Sequence, residues 1–144
     1  MIISCEVDIA VPRARVVELF DDPANVLKWQ PDLLRFEHLS GDPGRPGAKS
    51  RLVYRAGKGE MEMIETITDR RLPDEFSGIY ETKMGVTRVR NRFVDQGTTT
   101  RWIVDTEYLA SGFMRLLAPL LRGPIRKQTL KIAHAFKAFA ESSG

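Results

Sequence analysis

The feature that most narrows the fold is a change of hydrophobic period along the chain. Up to about residue 109 apolar and polar side chains alternate in short runs, and after Gly112 they switch to a helical repeat. Ile3, Cys5, Val7, Ile9 and Val11 alternate with Ser4, Glu6 and Asp8, which predicts a half-buried first strand. Pro12 then opens a short helical pattern over 13–20, with Val16, Leu19 and Phe20 able to share one face. Asp22 is placed to cap a second short helix through Asn25 and Leu27. That helix must close near Trp29-Gln30-Pro31, because the ring of Pro31 disfavours helical geometry at Gln30. Six more alternating runs follow at 33–40, 49–56, 60–71, 75–83, 86–95 and 99–109, separated by turn chemistry such as 41–47 and Gly57-Lys58-Gly59. Turns this short require antiparallel pairing, since parallel neighbours need a long crossover.

Beyond Gly112, Phe113, Leu116, Leu117, Leu120 and Leu121 fall on one helical side. A second stripe holds Ile125, Thr129, Ile132, Ala133, Phe136, Phe139 and Ala140. Pro119 and Pro124 are expected to kink or split this segment. The order of elements predicts an α+β fold: a seven-stranded antiparallel sheet curled around a long C-terminal helix, with two short helices between strands one and two. A sheet with one apolar face needs cover, and only the terminal helix is long enough to supply it.

Composition supports one compact domain over residues 1–144. At 144 residues and 42% hydrophobic, the chain can bury a core without metal or disulfide staples. Its longest apolar runs fall far short of the ~20 residues a membrane-spanning helix needs, so stable membrane insertion is not expected. The opening Met1-Ile2-Ile3-Ser4-Cys5-Glu6 lacks the basic start of an export signal, which leads to the expectation of a cytoplasmic protein. Cys5, the single cysteine, then reads as a small buried hydrophobe in a reducing compartment. The net charge of +3 is concentrated in 112–144, where Arg115, Arg122, Arg126, Lys127, Lys131 and Lys137 face a single acid, Glu141. With no zinc spacing and no aromatic-interleaved basic run, this reads as the solvated face of a helix rather than a nucleic-acid site.

Several stretches carry a family resemblance: Val11-Pro12-Arg13-Ala14-Arg15-Val16-Val17-Glu18-Leu19-Phe20, Trp29-Gln30-Pro31-Asp32-Leu33, the turn 41–47, and 73–80. In these the chain resembles the helix-grip superfamily of START domains, the birch-pollen allergen family and the polyketide cyclase/dehydrase and lipid-transport group. The likeness covers nearly the whole chain, and its motifs specify fold far better than activity. It implies a hydrophobic cavity between sheet and helix. Relatives include lipid carriers, hormone receptors, ubiquinone-binding chaperones and aromatase/cyclases.

Strand parity nominates side chains for such a cavity. Trp102, Val104, Thr106 and Tyr108 alternate with Arg101, Ile103, Asp105 and Glu107, so the first set should face inward. The same rule assigns Leu52 and Tyr54; Met61, Met63, Glu65 and Ile67; Phe76 and Tyr80; and Val89, Asn91 and Phe93. The helix adds Leu117, Ile132 and Phe136. Each position has a plain alternative as ordinary core. Glu65 is the exception, because a carboxyl sharing a face with Met61, Met63 and Ile67 needs a partner or a raised pKa, unless strand twist turns it outward. Asn91, Tyr54, Tyr80 and Tyr108 offer hydrogen bonds to orient a ligand, or reach solvent at the rim.

No nucleophile motif is present, and His38 and His134 stand alone, so neither a metal site nor a cofactor is expected. Arg88, Arg90 and Arg92 alternate on one strand and read as cross-strand ion-pair partners. The first functional expectation is binding or transport of a hydrophobic small molecule, such as a lipid, isoprenoid or polyketide, by a monomer or homodimer. The alternative is a cyclase/dehydratase in which Glu65, Tyr80 and Asn91 guide aldol closure or water loss. A third reading docks the basic, Leu-rich segment 113–131 on a membrane surface or a partner.

Overall fold

The computed structural model describes residues 1–110 and 112–143. Strands β1 (Ile2–Ile9), β2 (Leu33–Ser40), β3 (Lys49–Ala56), β4 (Gly59–Arg71), β5 (Glu75–Thr82), β6 (Gly85–Asp95) and β7 (Thr100–Leu109) form one antiparallel sheet in the order β1-β7-β6-β5-β4-β3-β2. Helix α1 (Arg13–Asp21), a 3-10 turn (Pro23–Asn25) and α2 (Val26–Trp29) link β1 to β2, and α3 (Phe113–Ser143) ends the chain. This is the helix-grip arrangement expected from the order of periods. Asp22 caps the 3-10 turn by accepting from the Ala24 amide at 2.9 Å.

The core divides in two. Beneath β1, β7 and β6 lies a cluster of Val7, Ile9, Val16, Trp29, Phe93, Trp102, Val104, Ala133, Phe136 and neighbours. The Phe20 ring packs against it, with centroids 5.1 Å from Phe93, 5.6 Å from Trp102 and 5.8 Å from Phe136, all edge-to-face, the geometry aromatic quadrupoles favour. A separate, smaller cluster of Leu33, Leu52 and Tyr54 gathers Val26, Phe36, Met63 and Tyr80 on the other side of the sheet's inner face.

Two expectations about α3 are revised. Pro119 and Pro124 lie inside one uninterrupted helix and do not split it. Each withdraws the N–H that would bond four residues back, to Arg115 and Leu120, and both of those residues are exposed, so water can satisfy the freed carbonyls. The apolar residues of its first half also do not share one buried side: Leu117 and Leu121 are half-buried, whereas Phe113, Leu116 and Leu120 are 72%, 76% and 73% exposed.

The basic residues of α3 have a structural task beyond solvation. Arg122 donates to the Ile2 carbonyl at 3.3 Å, Arg126 to Ser4 at 3.0 Å and Lys137 to Asp8 at 2.6 Å. These are free carbonyls on the outer edge of β1, so α3 caps an edge strand that would otherwise offer itself for pairing. Lys131 reaches Asp32 at 2.8 Å. On the outer face Arg88, Arg90 and Arg92 pair across strands with Glu107, Glu75 and Asp105 at 2.9, 2.5 and 2.8 Å, as their alternation predicted. No helix among the described residues is long and apolar enough to cross a membrane.

Candidate functional site

Strand register brings together residues that sequence parity treats one strand at a time. Ser50 pairs with Glu65, Glu65 with Tyr80, Tyr80 with Thr87, and Thr87 with Tyr108. A row of five oxygen-bearing side chains thus runs across β3, β4, β5, β6 and β7. The next inner row, Ile67, Gly78, Val89 and Thr106, is mostly apolar. Gly78 adds no side chain to it, and the Tyr80 ring lies 3.8 Å from where a Cβ would stand.

Glu65 points inward, so strand twist does not turn it to solvent. Tyr80 donates its hydroxyl to Glu65 Oε2 at 2.6 Å. Burial pushes the Glu65 carboxyl above its ordinary value, and the Tyr80 hydrogen bond partly opposes this. Burial, with the nearby Glu65 charge, pushes both the Tyr80 and Tyr54 phenols up, keeping them protonated donors. Tyr54 donates to Gln30 Oε1 at 2.7 Å, tying β3 to the residue that closes α2. Tyr108 donates to the Met84 carbonyl in the β5–β6 turn. There Gly85 has φ of +135°, and a Cβ would come within 3.2 Å of the Tyr108 hydroxyl, so glycine is needed on both counts. Asn91 donates from Nδ2 to the Phe76 carbonyl at 3.1 Å and accepts the Trp102 indole N–H at 3.0 Å. Its amide therefore fixes the core and is not free to orient a ligand.

The nominated positions thereby separate by environment. Phe93, Trp102, Val104 and Phe136 lie in the aromatic core, with Val89 and Ile132 packed against it. Leu52 and Tyr54 sit in the second cluster with Met63 and Tyr80. Ile67, Thr106 and Tyr108 are buried, and Met61, Glu65, Phe76 and Leu117 are half-buried. On the inner faces of β4 and β5, Met61, Met63, Glu65, Phe76 and Tyr80 all keep some solvent contact, whereas Ile67 and Gly78 are buried. Glu65 is thus half-buried among these neighbours rather than fully sealed. Two open surface depressions lie apart from this row. One, of about 300 Å³, lies among Arg15, Asp22, Lys28 and Phe139, and the other, of about 330 Å³, among Arg13, Asp74, Arg90 and Arg92.

Parity reasoning missed Ser50 and Thr87, because only register reveals their alignment with Glu65 and Tyr80. It also missed Gln30 and Trp29. The Trp29 indole N–H is buried without an acceptor among the described residues. No group of three His, Cys, Asp or Glu side chains that could hold a metal occurs among the described residues.

Residues 2–137 match the family model described as polyketide cyclase / dehydrase and lipid transport. The chain belongs to this family. Comparison with curated proteins by sequence returns no match. Among solved structures, a START superfamily protein from Mycobacterium smegmatis superposes with a TM-score of 0.84 at 16% identity, covering 99% of both chains. The Zhui aromatase/cyclase from Streptomyces sp. R1128 gives 0.82 at 12% identity, covering 98% of this chain and 93% of its own. A protein from Thermus thermophilus gives 0.82 at 16% identity, covering 100% of this chain and 99% of its own. At such identities the likeness establishes the fold of this polyketide cyclase/dehydrase and lipid-transport family member and nothing finer.

Proposed function

We propose that residues 1–144 act as one domain that binds or carries a hydrophobic small molecule, in the cytoplasm, between the inner face of β3–β6 and α3. The observation that carries this reading is the solvent-reachable inner face of β4 and β5. There Met61, Met63 and the Tyr54 and Tyr80 rings surround a short polar row, the mix of apolar wall and few polar anchors that small-molecule sites use. Of the residues nominated from sequence, the lining set narrows to Leu52, Tyr54, Met61, Met63, Glu65, Phe76, Tyr80, Tyr108 and Leu117. The others serve as the packed floor.

A second reading, catalysis of the cyclase/dehydratase type, is favoured by the Tyr80–Glu65 hydrogen bond, which sets a raised-pKa carboxyl beside a neutral phenol. Native mass spectrometry of freshly purified protein, followed by organic extraction, tests the first reading. A retained apolar molecule is expected. An empty protein that also fails to bind an apolar fluorescent probe would refute it. With β1 capped by α3, pairing through β2 is the remaining edge route to a homodimer, and a monomer needs no further contact.

A further inference from the structure

Three acids of β4 show what is missing at one of them. Glu60 and Glu62 face outward and pair with Arg35 at 2.8 Å and Arg51 at 2.9 Å. Glu65, three residues beyond Glu62, faces inward, and none of the ion pairs among the described residues includes it. By strand alternation the inner face carries two acids, and the other, Asp95, is exposed at the end of β6 and accepts from the Gly97 amide at 2.9 Å, so Glu65 is the one within the inner rows. The one cation that the β4 irregularity brings to the inner register, Arg70 opposite Phe76, is already held by Asp21 at 2.6 Å. The only hydrogen-bond partner of the Glu65 carboxyl among the described residues is Tyr80, on Oε2, which leaves Oε1 of this half-buried side chain without a protein donor.

A half-buried carboxyl with one phenol donor and no cation is incompletely satisfied. A donor hydroxyl at 2.6 Å suits the ionised form, and an ionised carboxylate against apolar walls is stabilised most by a positive charge brought to it. The nearby aromatic surface suits the same charge. The Tyr54 hydroxyl is committed to Gln30 and the Tyr80 hydroxyl to Glu65, so neither phenol is free to donate to an incoming group, and both contribute aromatic surface near the carboxyl.

We propose that the ligand of this site is an amphiphile or aromatic compound bearing a protonated amine, with its ammonium on Glu65 Oε1 and its apolar body along Met61, Met63 and the two tyrosine rings. This rests on the small-molecule reading above and assigns its ligand class. Binding then moves a proton. The ammonium favours the ionised carboxyl, so affinity rises with pH through the raised Glu65 pKa and falls again where the amine itself loses its proton.

The test is a matched pair of probes, 1-naphthylmethylamine and 1-naphthalenemethanol, titrated into wild type and Glu65→Gln by protein-observed NMR at several pH values. The amine is expected to bind wild type about tenfold more tightly than the alcohol, a difference of roughly 1.4 kcal/mol. Glu65→Gln, close in shape and expected to fold, should abolish that preference, read as the ratio of the two affinities in the same variant. Equal affinity of wild type for the two probes, or an amine preference that survives in Glu65→Gln, overturns the amine assignment while leaving the apolar site intact. If neither probe binds wild type, the small-molecule reading and the amine assignment fall together.

Discussion

Phe136 and Glu65 both face the inside of the sheet, yet they belong to two differently built halves of the molecule. Phe136 is 0% exposed and touches Phe20, Trp29, Trp102 and Phe139, with ring centroids 4.9 to 6.3 Å away. The half-buried Glu65 carboxyl has one hydrogen-bond partner among the described residues. What separates them is the line taken by α3: in its C-terminal part Ala133, Phe136 and Ala140 are buried, whereas in its first two turns Phe113, Leu116 and Leu120 are exposed and Leu117 is only half-buried. One half is closed by packing, and the other keeps a carboxyl held by a single phenol.

The sharpest way to break this contrast is to hollow the packed half. Phe136→Ala removes a ring from a site with no solvent contact and is expected to cost about 3–5 kcal/mol in denaturant unfolding, enough to threaten folding outright. A loss below about 1 kcal/mol would mean that the aromatic cluster is not the stabilising core. Asn91→Ala ranks next. It leaves the Trp102 indole N–H without its acceptor and the Phe76 carbonyl without its donor, which should cost about 1–3 kcal/mol. Asn91→Asp, which keeps an acceptor for Trp102 but loses the donor to Phe76, separates the two bonds.

The open half should respond with the opposite sign. Unfolded, a glutamate titrates near 4.5, and in the fold burial raises Glu65 above that. The folded state therefore holds this proton more tightly than the unfolded chain, and the stability linked to it is complete below 4.5 and is lost as pH rises through the folded value. Gln cannot ionise. Glu65→Gln is expected to melt with wild type at acid pH and above it at neutral and alkaline pH, read as melting temperature between about pH 4 and pH 8. A gap of constant size across that range would show that Glu65 does not change protonation on folding.

Much of this division could be read from sequence, for physical reasons that differ by residue. The strands emerge within a residue or two because alternation is a local property: 33–40 and 49–56 match the observed β2 and β3. Parity likewise places Glu65 inward, since β4 keeps its register with β5 through Ile67 and shifts only between Ile67 and Asp69. The polar row is a different matter. Ser50 and Thr87 line up with Glu65 and Tyr80 through pairings set by turn geometry between strands, and no periodicity within one strand carries that information. Asn91 reads as a ligand anchor until the structure shows both ends of its amide occupied. The prolines of α3 mislead because their cost depends on whether water can reach the abandoned carbonyls, which is a property of where the helix lies.

The smallest expected effect bears most directly on where α3 stops being core. Leu116 and Leu120 sit one turn apart on its outer side, and both are about three-quarters exposed. An apolar stripe on one helical side normally means burial, and on sequence alone these two leucines belong to such a stripe. The structure instead predicts that Leu116→Ser and Leu120→Ser, singly, change unfolding free energy by no more than about 0.5 kcal/mol, the range for surface positions outside special features. Pro119 lies between them, so helix propensity is already poor locally and the serine substitutions add little to it. If either variant instead loses several kcal/mol, the first two turns of α3 fold down over β4 and β5 in solution. The free oxygen of Glu65 would then be covered by leucine rather than open to a ligand.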